Sequence, residues 1–299
     1  MCLVTTNKSN TKTIAITGAS GFLGAVLTDY FSSNGWQVIA LVRDPSKQTK
    51  ISNVSYKEYD ILKPVKASTL NNVDVLVHAA YVKYDADHPD ALEQNVAGVQ
   101  SLLSASHKAG VKKNVFISSM SSHDEAISVY GRQKLASELL FNPKKDVVFR
   151  CGLILGNGGI VREMALFMRS KHAVPLIGGG KQPLQVVGVA DLARAVDAAA
   201  TKPLTGRFVV ATPQVYTYKQ FYTSLTKSLK VKVVFVPLPF KALQLAFRTA
   251  ALLRLPLGVG EDSLNGLKML RSMESASDLE KLGIQLDDLE TVLSRITIE

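Results

Sequence analysis

Two groupings of residues in this 299-residue chain could do chemistry. The first is Gly18-Ala19-Ser20-Gly21-Phe22-Leu23-Gly24, set between the apolar run Thr13-Ile14-Ala15-Ile16-Thr17 and a helical pattern. Strand, tight turn and helix in that order suit the pyrophosphate of a dinucleotide. Gly18 permits the sharp turn, Gly21 lets backbone approach the phosphates, and Gly24 allows close strand-to-helix packing. The helix N-terminus faces the anion with its unpaired N–H groups. Glycine triplets also serve plain turns, and the spacing here is GxxGxxG rather than GxGxxG; the flanking strand and helix select the nucleotide reading. The second grouping is Tyr130 and Lys134, within the helical pattern Tyr130, Lys134, Leu135, Glu138, Leu139, where i and i+4 side chains project together. A phenol with an ordinary pKa of about 10 is a poor base at neutral pH, and an ammonium one turn away favours the phenolate. Tyr59 and Lys63 repeat the spacing, but Pro64 biases Lys63 away from helix, so that pair need not share a face.

The elements that must position these groups follow from periodicity. Phe22 to Asn34 reads as a helix ended by Gly35, and Gln37 to Val42 as a continuous apolar strand, which together make one βαβ unit. Further strands are predicted at Val54 to Tyr59, Val73 to His78, Val115 to Ser118 and Val147 to Arg150, with helices from about Pro89 to Lys108 and Ser128 to Phe141. Strands apolar on both faces, alternating with helices, predict an α/β fold with a doubly wound parallel sheet of the Rossmann type. From Cys151 the rhythm breaks into glycine-rich loops at Gly156-Asn157-Gly158-Gly159 and Gly178-Gly179-Gly180. The expected organisation is a tail at 1–11, a dinucleotide-binding core at 12–155, and a mixed segment at 156–299. That segment is mostly a smaller, largely helical substrate lobe, with a strand near 208–211 returning to the sheet.

Size and composition bound the rest. With 46% hydrophobic residues the chain can bury a full core, and disorder is not expected. Cys2 and Cys151 are too few for a disulfide framework, which fits a reducing compartment, and no leader or membrane-length apolar run is read, so a soluble cytoplasmic protein is expected. His78, His88, His107, His123 and His172 lack ligand spacing, so no metal is expected. Thirty-five Lys plus Arg against 25 Asp plus Glu give +10, which favours an anionic small-molecule substrate. Nucleic acid is not expected, because the basic residues do not gather into a stripe with interleaved aromatics. The apolar segment Phe240 to Leu255 reads first as a buried lid helix and second as an interfacial helix making peripheral membrane contact.

Beyond the glycine turn, the chain shows Asp60 after the third strand, Val77-His78-Ala79-Ala80, Asn95-Val96-Ala97-Gly98, Phe116-Ile117-Ser118-Ser119, Tyr130-Gly131-Arg132-Gln133-Lys134, Arg150 with Gly156 after it, and Val189-Ala190-Asp191-Leu192-Ala193. This collinear series resembles the extended or atypical branch of the short-chain dehydrogenase/reductase superfamily, which contains NAD(P)-dependent sugar epimerases, dehydratases and ketoreductases.

The resemblance implies that Tyr130 donates or accepts a proton, that Lys134 holds the nicotinamide ribose, and that a serine at the strand end binds the substrate oxygen. Ser119 matches that position, with Ser121 as runner-up. Cofactor contacts are implied for Gly18, Ser20, Gly21, Phe22 and Leu23, for Ala79 and Ala80, for Tyr130 and Lys134, and for Asp60 and Ile61 near the adenine, Asp60 being alternatively an Asx turn. At the end of the second strand Arg43 favours the 2′-phosphate of NADP, whereas Asp44 could serve NAD or only cap a turn. Arg150 and Asp191 read as structural. The reaction implied is hydride transfer at a carbinol or carbonyl carbon, by C4 reduction or epimerisation of a nucleotide- or lipid-linked sugar. A ketoreductase on a steroid- or flavonoid-like substrate and a nonenzymatic NADPH-binding sensor or assembly factor are the alternatives. A dehydratase is disfavoured because Met120 and Ser121 stand where that chemistry usually has an acidic pair. Family members often dimerise through the two helices that include that of Tyr130, so the resemblance allows a homodimer while the sequence itself leaves the oligomeric state open.

Overall fold

The computed structural model of the protein describes residues 11–85, 87–243 and 261–297. The first half runs β1 (Thr13–Thr17), α1 (Phe22–Ser33), β2 (Gln37–Val42), β3 (Val54–Glu58), β4 (Val75–His78), α2 (Ala91–Lys108), β5 (Lys113–Ser119), α3 (Val129–Glu138) and β6 (Val147–Cys151). Then follow β7 (Leu153–Leu155), α4 (Gly159–Lys171), β8 (Ala173–Ile177), β9 (Pro183–Leu184), β10 (Val186–Gly188), α5 (Val189–Thr201) and β11 (Gly206–Val210). The chain continues through β12 (Tyr216–Thr217), α6 (Tyr218–Ser228), β13 (Val234–Leu238), α7 (Glu261–Lys268), α8 (Ala276–Leu282) and α9 (Leu289–Ser294).

Seven strands form one parallel sheet in the order β11-β6-β5-β4-β1-β2-β3. Its inner strands β1, β2 and β4 are apolar on both faces because both are covered, whereas the edge strand β3 carries Ser55, Lys57 and Glu58. Ile14 and Ile16 pack with Leu27 and Phe31 of α1 and Val196 of α5, whereas Ala15 and Leu41 pack with Leu102 and Ala105 of α2 on the opposite side. Each large side chain buried in full contributes about 1.5–3 kcal/mol, so these layers outweigh any local propensity. The direction of strand order reverses between β1 and β4. The carboxyl ends of those two strands therefore open the crevice where sheets of this kind take ligands.

Helix α3 is shorter than its apolar pattern. Ser128 stands outside as its N-cap, accepting from the Gly131 N–H at 3.1 Å, and the last turn tightens to i−3 bonds from Leu140 and Phe141. The lobe has its own core of Val161, Met168, Val174, Phe221, Leu225 and Leu293, and it carries three two-stranded ladders, β7–β10, β8–β13 and β9–β12, alongside its helices. These ladders are two to five residues long and pair segments distant in the chain, so no period announces them. The segment Phe240 to Leu255 lies outside the described residues beyond Leu243. Among the described residues no helix is long and apolar enough to cross a membrane.

Candidate active site

The phosphate end of the crevice is built by backbone. Gly18 has φ +68°, in the left-handed region, and a Cβ on Gly24 would lie 2.1 Å from the Gly18 carbonyl oxygen. Helix α1 starts at Gly21 with no capping side chain and no acidic residue in its first turn, so its N–H groups and dipole are available to an anion. Ser20 and Gly21 are exposed there, and Phe22 and Leu23 half-buried. The Phe22 ring lies on the loop before α4, where a Cβ on Gly156 or Gly158 would come within 2.7 or 2.5 Å of it. Room for this ring is what those glycines provide.

At the end of β2, Arg43 is exposed and makes no hydrogen bond or ion pair among the described residues. Asp44 is engaged: its carboxylate accepts from the Ser46 N–H at 3.0 Å, from the Ser46 hydroxyl and from Lys47 at 3.1 Å, capping the turn Pro45–Lys47. Those bonds hold its carboxyl below the usual carboxylate range. Asp60 forms an Asx turn with the Leu62 N–H at 3.0 Å, and Ile61 packs against Gly98 of α2 so closely that a Cβ there would meet its side chain at 2.4 Å. Tyr59 is buried in the core and Lys63 reaches Glu58 and Asp60 at the surface, so this second YxxxK pair does not converge.

Thr17 ties β1 to the end of β4. Its hydroxyl oxygen accepts from the Ala79 and Ala80 N–H groups, both at 3.1 Å, and its one proton therefore goes to His78 Nδ1 at 2.8 Å. This count assigns His78 as neutral with its proton on Nε2. Burial first, and the Lys134 ammonium second, push its pKa down to about 3. The two alanines are thereby fixed at the crevice edge next to Gly18, whose Cβ position lies 3.1 Å from the Ala80 backbone.

Ser119, Tyr130 and Lys134 come together beyond that edge. Lys134 is 5% exposed, its Nζ donates to the Ile117 carbonyl at 2.9 Å, and it lies 5.8 Å from the Tyr130 ring centroid. Burial pushes its pKa down to about 8. The Tyr130 phenol is raised, by burial foremost and by neighbouring Tyr81 next, while a side-chain hydrogen bond with Ser119 pulls the other way. An ammonium one turn away is expected from sequence to favour the phenolate; in the structure burial is the largest influence on the phenol and raises it. Among the clustered serines, Ser118 donates instead to Glu138 at 2.6 Å and Ser122 is fully buried, while the Ser121 N–H donates to the Ser119 hydroxyl oxygen at 3.1 Å.

Three supports were missed from sequence. Glu138, one turn beyond Lys134, is buried and binds Arg150 at 2.8 Å and Arg207 of β11 at 3.0 Å, anchoring α3 to the sheet. Asp262 of α7 accepts from the Val129 N–H at 2.6 Å and so fastens the lobe to the start of α3. Asn95 of α2 binds both backbone groups of Val82 at 2.8 Å, and that loop carries Tyr81, whose ring meets the Tyr130 ring edge-on at 5.9 Å. Only Asn95 and Arg150 belong to motifs that could have signalled this. Asp191 is structural as read, accepting from the Asp287 N–H at 2.9 Å and pairing with Arg194.

A seven-stranded parallel sheet whose first crossover turns on Gly18, Gly21 and Gly24 defines a dinucleotide-binding protein of the Rossmann class. The chain belongs to the NAD dependent epimerase/dehydratase family, whose model matches residues 14–211. It is 28% identical over 137 residues to a putative dihydroflavonol 4-reductase of Synechocystis, covering 44% of this chain and 39% of that protein. It is also 28% identical over 179 residues to an inverting UDP-N-acetylglucosamine 4,6-dehydratase of Campylobacter jejuni, covering 51% of this chain and 52% of the relative. The chain thus spans between about two fifths and half of the length of these relatives, 39% and 52%. Among solved structures it is similar in fold to a UDP-glucose 4-epimerase of Thermotoga maritima, with TM-score 0.72, 21% identity, and coverage of 95% of this chain and 96% of that one.

Proposed function

We propose that the protein is an NAD(P)-dependent oxidoreductase or epimerase of the extended short-chain type, acting at a carbinol or carbonyl carbon of a nucleotide- or lipid-linked sugar by C4 reduction or epimerisation. The observation that carries this reading is the convergence of Ser119, Tyr130 and Lys134 at the crevice whose other wall is the Gly18 turn. The first turn of α1 would hold the diphosphate, Ala79 and Ala80 the middle of the cofactor, and Lys134 the nicotinamide ribose. When bound, the nicotinamide supplies or takes up hydride. Ser119 orients the substrate oxygen, and Tyr130 exchanges a proton with that oxygen as the carbon is reduced or oxidised. The net charge of +10 favours a phosphorylated substrate. Met120 is buried and Ser121 half-buried where a dehydratase would carry its acidic pair, while Asp124 and Glu125 are exposed, which favours reduction or epimerisation over elimination. The test is a panel of 4-keto nucleotide sugars with reduced cofactor, read at 340 nm. Consumption with at least one sugar supports the reading, and consumption only with flavonoid- or steroid-like ketones moves it to the apolar-ketone alternative, which the similarity to the putative dihydroflavonol 4-reductase favours. Cofactor binding without turnover on either class would leave a binding protein.

Within this reading NADP is preferred over NAD, because Arg43 makes no hydrogen bond or ion pair among the described residues while the Asp44 carboxylate is already used as a cap. Arg43→Ala is expected to weaken NADPH binding by about 10- to 100-fold, the worth of a charge-assisted hydrogen bond to phosphate, and to leave NADH binding unchanged. Fluorescence titration of both cofactors checks this. Equal weakening of the two removes the 2′-phosphate argument.

A further inference from the structure

The ammonium of Lys134 is enclosed by three aromatic rings. Its Nζ lies 4.9 Å from the Phe116 ring centroid, 5.4 Å from that of Tyr81 and 5.8 Å from that of Tyr130, and donates to the Ile117 carbonyl. An ammonium has three N–H donors; with one on the carbonyl, ring faces can meet another while one is left for the ribose. Phe116 has a separate reason for its place, stacked between His78 and Phe141 in the core. Tyr81 has no such reason. It is 49% exposed, on the loop after β4, yet that loop is pinned by the buried amide of Asn95 so that the ring stands over Lys134 and edge-on to Tyr130.

We propose that Tyr81 is a positioning residue, its ring closing the enclosure that keeps Lys134 charged and in place under Tyr130. The inference rests on reading Tyr130 and Lys134 as the acid/base pair. Burial lowers the amine most, and the titratable groups facing Lys134 share the opposing task with the rings: Cys151 and Glu138 raise it. Glu138, on the same helix, is engaged by Arg150 and Arg207. Cys151 of β6 is a buried thiol whose pKa is pushed up to about 12, and His78 of β4 is neutral. Tyr130 is a phenol held un-ionised by burial. Cys151 and Glu138 offset only part of the burial that lowers the amine, no uncommitted carboxylate among the described residues pairs with it, and a ring face adds to their effect through its quadrupole. On its outer side Tyr81 is near Glu163 of α4, whose charge raises the Tyr81 phenol after burial has done so, which keeps that ring un-ionised as well.

The test follows the Lys134 amine in the cofactor-free full chain, by the pH dependence of its ¹³Cε resonance, with Lys134→Met used only to assign the signal. Tyr81→Leu keeps the apolar cover and removes the π face; it is expected to lower the Lys134 pKa by about half a unit, roughly threefold in the dissociation constant. Tyr81→Phe should titrate as the parent does. Pentafluorophenylalanine at position 81, which keeps the shape and reverses the quadrupole, should shift the pKa at least as far as leucine, and it answers the question even if Tyr81→Leu fails to fold. An unchanged or raised pKa without the π face, or an equal shift in Tyr81→Phe, overturns the proposal. The readout needs no substrate, so a shifted lysine in a protein that reduces nothing would uphold the enclosure and reject the proposed reaction.

Discussion

Glu138→Ala is expected to destabilise the protein by about 3–5 kcal/mol, because removing one partner of a buried ion pair leaves the other uncompensated in low dielectric. The side chain is fully buried and accepts from the Ser118 hydroxyl at 2.6 Å, from Arg150 through Nε and the terminal nitrogen at 3.0 and 2.8 Å, and from Arg207 Nε at 3.0 Å. Arg150 is only 14% exposed at its side chain, so its guanidinium would be left without a counter-charge. Arg207 is 47% exposed, and water can replace its partner. Arg207→Ala is therefore expected to cost no more than about 1 kcal/mol. Urea unfolding of the two variants separates the cases; similar losses would show that the buried carboxylate is not what fastens α3. Since α3 also carries Tyr130 and Lys134, the Glu138→Ala protein that remains folded should bind NADPH more weakly than the parent.

The sheet was legible because parallel strands covered on both faces must be apolar throughout, and Gln37 to Val42 and Val147 to Arg150 read that way with no knowledge of their neighbours. The glycine turn was legible because positive φ at Gly18 and the contact of Gly24 with the Gly18 carbonyl leave no room for another residue. Convergence of Tyr130 and Lys134 needed only helical periodicity, and the rejection of Tyr59 and Lys63 only Pro64. What stayed hidden depends on contacts between segments far apart. Tyr81 reaches Tyr130 from another strand's loop, Arg207 reaches Glu138 from β11, and Asp262 caps α3 from the lobe. None of these has a period or a spacing. The same holds for Gly156 and Gly158, whose loop carries no spacing that announces the Phe22 ring packed against them. The direction of the Tyr130 shift stayed hidden for a related reason: an i+4 ammonium is visible in sequence, whereas the burial that raises the phenol is not.

Tyr130→Phe is expected to lower kcat by about 10²- to 10⁴-fold, the usual contribution of a positioned acid/base group, and to leave NADPH binding unchanged, because the ring and Lys134 stay in place. Equal turnover in the variant would remove the mechanism. The pH dependence gives a sharper check through Ser119. Burial holds the phenol above its ordinary pKa and the Ser119 hydrogen bond lowers it, so Ser119→Ala should raise it further. Under the proposed mechanism the protonated phenol is the active form in the reducing direction, and the activity should persist to higher pH than in the parent. In the oxidising direction the phenolate is required, so the rising limb should move to higher pH and the rate at neutral pH should fall beyond what the loss of substrate orientation alone costs. A limb that moves toward acid in Ser119→Ala would mean that the serine stabilises the neutral phenol, and the proton would then have to be handled by a different arrangement of the same three residues.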